Sequence, residues 1–445
     1  MTDPARGWAD RTSRPKGDPG EPRLQGEGQS WSRGRGPVRE ILVVDLLGGI
    51  GDLVMLLPVV HALARRHPGA ALRVVTHEPG AELLRGDPAV AEVRTPRHPR
   101  PGAEREAVAA ALAAHRPDLA VTTTRTDGIP ALLTAAAGRA VTDLWRDPPP
   151  GEPVGERYLR ILCDEGLLAP DDRTARPRVR LTPAERARGE HLVTACLAPA
   201  SPSSSSSSAA FGPSPSRPPV VLITEAGMEV KRWPAGRWRE LAELLARGGH
   251  PLLALDAPAK GTCAVSPGTA VSPGTAVSPF QAATPSWPSL AVLPRCDLRT
   301  LAACLAAVGA RGGVVVGGDT GPLRLAAAAG ASTVGLFGPT WTGRYGLNGP
   351  PTADGPPTAD GPPTSDGPLT PDVPLTPGGP ATPGGPAGFD LQGLPECRHR
   401  RPTAITEQPC WWTAACPLSA GGPACMAAIP VASVAEAVTR LTAHV

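Results

Sequence analysis

The sequence carries no dominant charge. Its 44 Lys and Arg balance 41 Asp and Glu to a formal +3, which argues against the strongly basic profile of a dedicated nucleic-acid binder. Nor is there a long unbroken apolar run. The most apolar stretch, residues 41–64, is interrupted by Asp45, Asp52 and three glycines, so it reads as a buried strand followed by a helix and not as a membrane span. Residues 1–37 have no apolar core; no signal peptide is expected, and the chain reads as cytoplasmic. Nine cysteines are an odd number in a chain of this size, which argues against a fully paired secreted framework. Aromatic residues make up 3 %, and nine of them are Trp. Ala, Arg, Gly and Pro crowd out Lys, Ile and Asn, the bias of a GC-rich genome, so motifs carry more weight here than single residues.

Glycine and proline, by contrast, abound. With 51 and 57 among 445 residues, they hold roughly twice the usual share of about 12 %. A uniformly packed domain could not absorb so many helix and strand breakers, and they are concentrated in four places. Residues 1–37 are a polar tail. Residues 199–219 contain the run Ser203–Ser208 between prolines, residues 261–287 repeat Ala-Val-Ser-Pro-Gly-Thr from Ala264, and residues 349–390 repeat a Gly-Pro-Pro-Thr-Ala-Asp unit that degrades along its length. Units this polar and Pro-rich bury no face, so they read as disordered low-complexity insertions and not as a solenoid. Roughly 320 residues remain, which suits two domains of about 150 each.

Those two parts share one pattern. Residues 40–45 are a continuous apolar run, as in a strand buried on both faces, followed by the turn Gly48-Gly49-Ile50-Gly51 and a helical pattern through Arg66. Strands at 72–76, 90–94 and 118–123 alternate with helices at 80–85 and 103–115, and Thr182-Pro183-Ala184-Glu185 opens a further helix as a capping box. The second part repeats the theme. Strands are expected at 220–224, 251–256, 290–293, 314–316 and 333–337, with helices at 234–247, from Asp297 to 308, at 322–329 and at 431–443. Such alternation predicts α/β architecture, two doubly wound Rossmann-like domains with parallel sheets that face each other across a ligand cleft.

Three strand-end loops could carry chemistry. The turn at 46–52 is a poor dinucleotide fingerprint, because Val54 stands where a third Gly or Ala is needed. Asp52 at a helix N-terminus would repel a pyrophosphate. There it is suited to taking a proton from a substrate hydroxyl, although a plain capping Asp would look the same. Lys231-Arg232-Trp233-Pro234 places two cations between a strand and a helix, suited to a diphosphate or simply to a solvated turn. Gly317-Gly318-Asp319-Thr320-Gly321-Pro322 combines glycines, a hydroxyl and a helix N-terminus that attracts anions; helix capping by Asp319 or Thr320 is the alternative. Together the loops supply a base, a cation pair and an anion-binding helix end, the parts needed to attack a sugar-diphosphate donor.

These motifs, with Gly335-Leu336-Phe337-Gly338-Pro339-Thr340 and Arg344-Tyr345-Gly346 following in order, resemble glycosyltransferase family 9, the ADP-heptose:lipopolysaccharide heptosyltransferases. The resemblance implies a GT-B fold and an inverting, metal-independent and cofactor-free transfer of a heptose-like sugar from a nucleotide-diphosphate donor. A glycan, a lipid-linked compound or a small molecule would be the acceptor. It implies an acceptor-side domain at 38–198, a nucleotide-sugar domain at 220–348, and a Cys-containing segment at 391–445 whose last helix crosses back onto the first domain. Asp52 matches the general base and Lys231, beside Arg232, the diphosphate-contacting lysine. Asp319, Thr320 and Gly321 match the nucleotide-diphosphate loop; Gly49, Gly51 and Gly318 are backbone positions of the same turns. Two departures stand out: Arg324 where the family commonly has His, and Asp256-Ala257-Pro258-Ala259-Lys260 where a ribose-binding Glu is expected. No Asp-x-Asp triplet is present to hold a divalent ion. No nucleic-acid partner is expected; a monomer is, with peripheral membrane contact compatible. A non-catalytic sugar-nucleotide-binding or scaffolding protein of the same fold is the alternative, and Val54 and Asp52 disfavour a nicotinamide oxidoreductase. Cys397, Cys410, Cys416 and Cys425 lack the tight Cys-x-x-Cys spacing that zinc favours and are open to three readings: reduced thiols, a metal site, or disulfide chemistry.

Overall fold

Each apolar run becomes a strand covered by helices. A computed structural model describes residues 37–146, 151–198, 217–255, 290–348 and 387–443. The tail, the Ser/Pro linker up to 216, the repeats at 261–287 and 349–386, and Asp256–Lys260 lie outside the described residues. The first lobe runs β1 (Glu40–Asp45), α1 (Ile50–Arg66), β2 (Ala71–Thr76), α2 (Ala81–Arg85), β3 (Glu92–Arg94), α3 (Ala103–Ala114), β4 (Leu119–Thr122), α4 (Ile129–Ala136), β5 (Arg139–Val141) and α5 (Val154–Asp164). Its strands lie in the order β3-β2-β1-β4-β5. β1 is central, Ile41 standing opposite Leu72 on one side and Leu119 on the other, both pairings parallel. Residues Ile41 to Asp45 are all buried, as a strand with helices on both faces requires.

After α6 (Pro183–Leu197) the second lobe runs β6 (Val220–Ile223), α7 (Ala235–Arg247), β7 (Leu252–Leu255), β8 (Leu290–Leu293), α8 (Leu298–Ala310), β9 (Val314–Gly318), α9 (Gly321–Ala329), β10 (Ser332–Phe337), α10 (Thr342–Tyr345), β11 (Gly388–Gln392), α11 (Ala424–Ala427) and α12 (Val431–Thr442). The order β11-β10-β9-β6-β7-β8, with every pairing parallel, is the doubly wound arrangement 3-2-1-4-5-6. In each lobe the strand order reverses beside the first strand, at β1/β4 and β6/β9. The loops leaving β1, β6 and β9 are those that hold Asp52, Lys231 and Asp319, so the candidate residues sit at the two crevices where such sheets bind ligands.

Local signals act as read. Thr182 accepts a bond from the Glu185 N–H while the Glu185 carboxylate accepts from Thr182 N–H, starting α6, and Asp297 caps α8 by accepting from Thr300 N. Two expectations are revised. β11 starts inside the repeat read at 349–390, because Phe389 and Leu391 are apolar at alternate positions and cover the core beside β10. The last helix, α12, packs on the second lobe: Val431, Val434, Ala437 and Val438 join the core under β9–β11. Instead α6 crosses over. Its Gly189 lies against the backbone of Ala303 in α8, too close to admit any side chain, and Val179 N donates to Ala328 O at 2.9 Å. One apolar cluster therefore continues from Val43 and Val74 through α6 and α8 to Val221 and Val315.

Candidate active site

Asp52 lies in the first turn of α1, whose N-cap is Gly49. Its carboxylate turns back to accept the Gly49 N–H and stands where a Gly49 side chain would be, so a side chain there would displace it. Capping and facing the cleft are thus combined in one side chain. Burial raises the Asp52 carboxyl above its ordinary value; Lys231 and Arg324 pull it down, and Asp319 pushes it up. Residues of both lobes therefore act on this one carboxylate. The contact is direct: a Cβ on Gly321 would lie 2.8 Å from Ile50 Cβ, and one on Gly51 would lie 3.1 Å from Arg324 Cδ. The N-termini of α1 and α9 meet at a pair of glycines.

Asp319 is buried between two cations. Lys231 Nζ donates to Asp319 Oδ2 at 3.0 Å and to its carbonyl at 3.2 Å, and Arg324 donates to Oδ1 from Nε at 3.1 Å and from Nη2 at 2.6 Å. The carboxyl is burdened by burial, but the Arg324 and Lys231 charges outweigh that and hold it well below the usual carboxylate range. Asp319 thus does not cap α9; it sets the positions of Lys231 and Arg324. Thr320 is the N-cap of α9 without making a side-chain cap, and its Oγ1 is buried with no hydrogen-bond partner among the described residues. Gly318 admits the Lys231 carbonyl, which would lie 3.0 Å from a Cβ there. Arg232 stands apart from this group. It is 39 % exposed, donates to Ala226 O at 3.4 Å and faces Glu225 at 3.9 Å.

The family model of glycosyltransferase family 9 (heptosyltransferase) matches residues 197–354, the span that holds Lys231, Asp319, Thr320, Gly321 and Arg324. The match spans 158 of the 445 residues. A family 9 glycosyltransferase from Veillonella parvula is similar in structure at TM-score 0.52 and 16 % identity, over 69 % of this chain and 84 % of that one. Escherichia coli ADP-heptose lps heptosyltransferase II (TM-score 0.46, 18 % identity, 70 % and 88 % covered) and heptosyltransferase WaaC with ADP (0.45, 22 %, 70 % and 91 %) are further structural neighbours. A search of the curated proteins matches none. The two facing sheets are a GT-B fold, and the chain is a glycosyltransferase.

Around the family 9 motifs the structure adds residues that no motif marked. Asp390 and Gln392 on β11 hold the Gly338–Gly346 loop. Asp390 accepts from Leu347 N at 2.8 Å and Asn348 N at 3.0 Å, and Gln392 donates to Phe337 O and Gly338 O while accepting from Thr342 N. Trp411, fully buried, lies under Lys231 with Nζ 5.4 Å from the ring centroid, an attraction that steadies the lysine. Asp45 ends β1 at 1 % exposure. Thr123 Oγ1 donates to it at 2.5 Å, yet burial and then Asp52 push its carboxyl up to about 7. One sequence signal pointed to Asp45: a charge closing an apolar strand at a sheet's carboxyl edge. Tyr158 of α5 is buried beside Asp52, which raises its phenol after burial has done so, and the half-buried Tyr345 is raised by burial against the pull of Arg344. Cys397, Cys410, Cys416 and Cys425 are free thiols in this structure, not disulfides, and burial pushes Cys425 up to about 12. Among the described residues no three His, Cys, Asp or Glu side chains are grouped to hold a metal ion, and no helix is long and apolar enough to cross a membrane.

Proposed function

We propose that this glycosyltransferase inverts the anomeric centre, without a metal, as it moves a heptose-like sugar from a nucleotide-diphosphate donor of the ADP-heptose type to an acceptor hydroxyl. The observation that carries the reading is Asp52 of the first lobe facing Lys231 and Arg324 of the second across the paired glycines. Asp52 takes the acceptor's proton. The hydroxyl oxygen then bonds to the anomeric carbon from the face opposite the diphosphate, whose oxygen leaves with the electron pair. The negative charge that grows there meets Lys231, Arg324, the Thr320 hydroxyl and the positive end of α9. A raised Asp52 carboxyl suits this role, since a base works best with an affinity for protons near the working pH. Asp319 keeps both cations in place before the donor arrives. The proposed setting is the cytoplasm, in glycan biosynthesis.

A positioned general base contributes about 10²–10⁴-fold. Asp52→Ala should therefore lower transfer from ADP-heptose by that factor while calorimetry shows donor affinity largely kept; unchanged turnover removes Asp52 from the mechanism. Lys231→Ala should weaken donor affinity, and equal affinity would refute its part.

A further inference from the structure

A cavity of about 710 Å³ opens at the end of α1 far from Asp52. His61 and Arg65 of α1 line it, with Arg176, Arg178 and Arg180 of the strap that leads into α6 and Arg186 of α6 itself. Among the described residues no Asp, Glu, Phe, Tyr or Trp does so. At about 1.5 Å per helical residue, Arg65 lies roughly 20 Å along α1 from Asp52, so the cavity is no part of the cleft. The strap reads Arg176-Pro177-Arg178-Val179-Arg180. In an extended chain alternate residues face the same way, and here the three arginines are exposed while Pro177 is half-buried and Val179 buried. Val179 N donates to Ala328 O of α9 at 2.9 Å, which fixes the strap, and roughly 7 Å of extended chain separates one arginine from the next.

Acids answer only part of this charge. Arg65 bonds to Asp172 at 2.7 Å, Arg176 to Glu156 at 3.0 Å, and Arg180 faces Asp87 at 3.5 Å; all three arginines are exposed, where such pairs hold weakly. Asp87 is shared as well, bonded to His61 Nε2 at 2.8 Å and accepting from Ala89 N at 2.9 Å. Among the described residues Arg178 and Arg186 have no side-chain hydrogen bond or ion pair. Five guanidinium groups around a space the size of a small-molecule site repel one another until an oxyanion enters, and each offers a fork of donors that suits phosphate. No aromatic ring is at hand to stack a nucleobase, so charge is what the space can recognise. We propose that this cavity binds a compact oligophosphate anion, held by Arg178 and Arg186, with Arg65, Arg176 and Arg180 turned inward from their acids. A ligand seated there ties α1 to the strap and to α6, the helix that crosses between the lobes, and stabilises the folded chain as its concentration rises. The site stands whether or not Asp52 is the base.

The test titrates the full chain with inorganic tripolyphosphate by calorimetry and thermal melts, at an ionic strength that screens loose surface pairing. Saturable binding and a raised melting temperature are expected, with orthophosphate at least ten-fold weaker. Arg178→Gln combined with Arg186→Gln should weaken tripolyphosphate at least ten-fold and leave the ligand-free melting temperature unchanged, because neither side chain has a partner to lose. Each substitution alone should weaken it by a smaller factor, so the outcome does not depend on the double variant folding. Two controls locate the site. Tripolyphosphate binding should survive Lys231→Ala, which alters the diphosphate pocket of the cleft. It should also survive Arg66→Gln combined with Arg188→Gln, which removes two exposed arginines that do not line the cavity. Loss of binding in Lys231→Ala would place the anion in the cleft, and equal weakening by the control pair would reduce it to general surface charge. Either result overturns the proposal, as do an absence of saturable binding and unchanged affinity in the Arg178 and Arg186 variants.

Discussion

At the scale of residues, two carboxyls pull in opposite directions. Asp45 is pushed up to about 7 by burial and by Asp52, so between about pH 4 and 7 the folded chain holds a proton that the unfolded chain releases. Stability therefore falls as pH rises through that window, by about 4 kcal/mol at the outside for a shift of this size. Asp390, raised to about 6 by burial, adds a shallower fall over the lower part of the range. Asp45→Asn keeps an oxygen for the Thr123 hydroxyl but has no charge to bury. Denaturant titrations at pH 5 and pH 8 should differ much less for this variant than for the parent; an equal difference would contradict the account. Asp319 is the converse case. Its carboxylate is held ionised by Arg324 and Lys231, so Asp319→Asn leaves the buried Arg324 and the half-buried Lys231 without their counter-charge. It should cost about 3–5 kcal/mol, read as a lower denaturation midpoint, and weaken donor binding along with it.

Among elements, the meeting of α1 and α9 decides how close the lobes come. A methyl on Gly321 would press on Ile50 Cβ at 2.8 Å and lie 3.5 Å from Gly51 N, atoms anchored to backbone. One on Gly51 would press on Arg324 Cδ at 3.1 Å, which belongs to a long side chain. Gly321→Ala should therefore cost about 1–3 kcal/mol and lower transfer sharply, and Gly51→Ala should be the milder change; the reverse order in thermal melts and turnover would refute this picture. The two glycines also mark what was legible beforehand. Strand-turn-helix patterns are local, so β1, α1, β6, β9 and α9 and the residues of their loops could be read from the chain. That Asp319 binds Lys231 and Arg324 instead of capping α9 could not, because the choice depends on a lysine 88 positions away. The path of α6 and α12 was hidden for a similar reason: α12 presents an apolar face and α6 buries only Gly189 and Val193, and only three-dimensional packing selects where each is received.

For the whole molecule, the crossing of α6 makes the lobes one thermodynamic unit. The start of α8 is clasped by the first part of the chain: Arg299 donates to Leu83 O at 2.8 Å, to Arg180 O at 2.7 Å and to Glu185 Oε2 at 2.8 Å, and Glu82 accepts from Leu298 N at 2.7 Å. Behind these bonds the shared apolar cluster runs without a break from one sheet to the other. Separate unfolding of either lobe would have to expose that cluster and leave the Arg299 partners bare. Calorimetry of the full chain should show a single transition whose van't Hoff and calorimetric enthalpies agree. Arg299→Ala should shift it downward, since two backbone carbonyls and the Glu185 carboxylate lose a charged donor worth about 1.5–3 kcal/mol per bond at most. Two resolved peaks in the parent chain would mean that α6 does not couple the lobes. The cleft at Asp52 would then have to be held in register by the α1–α9 contact and by the bonds of Leu298 and Arg299 to Glu82 and Leu83.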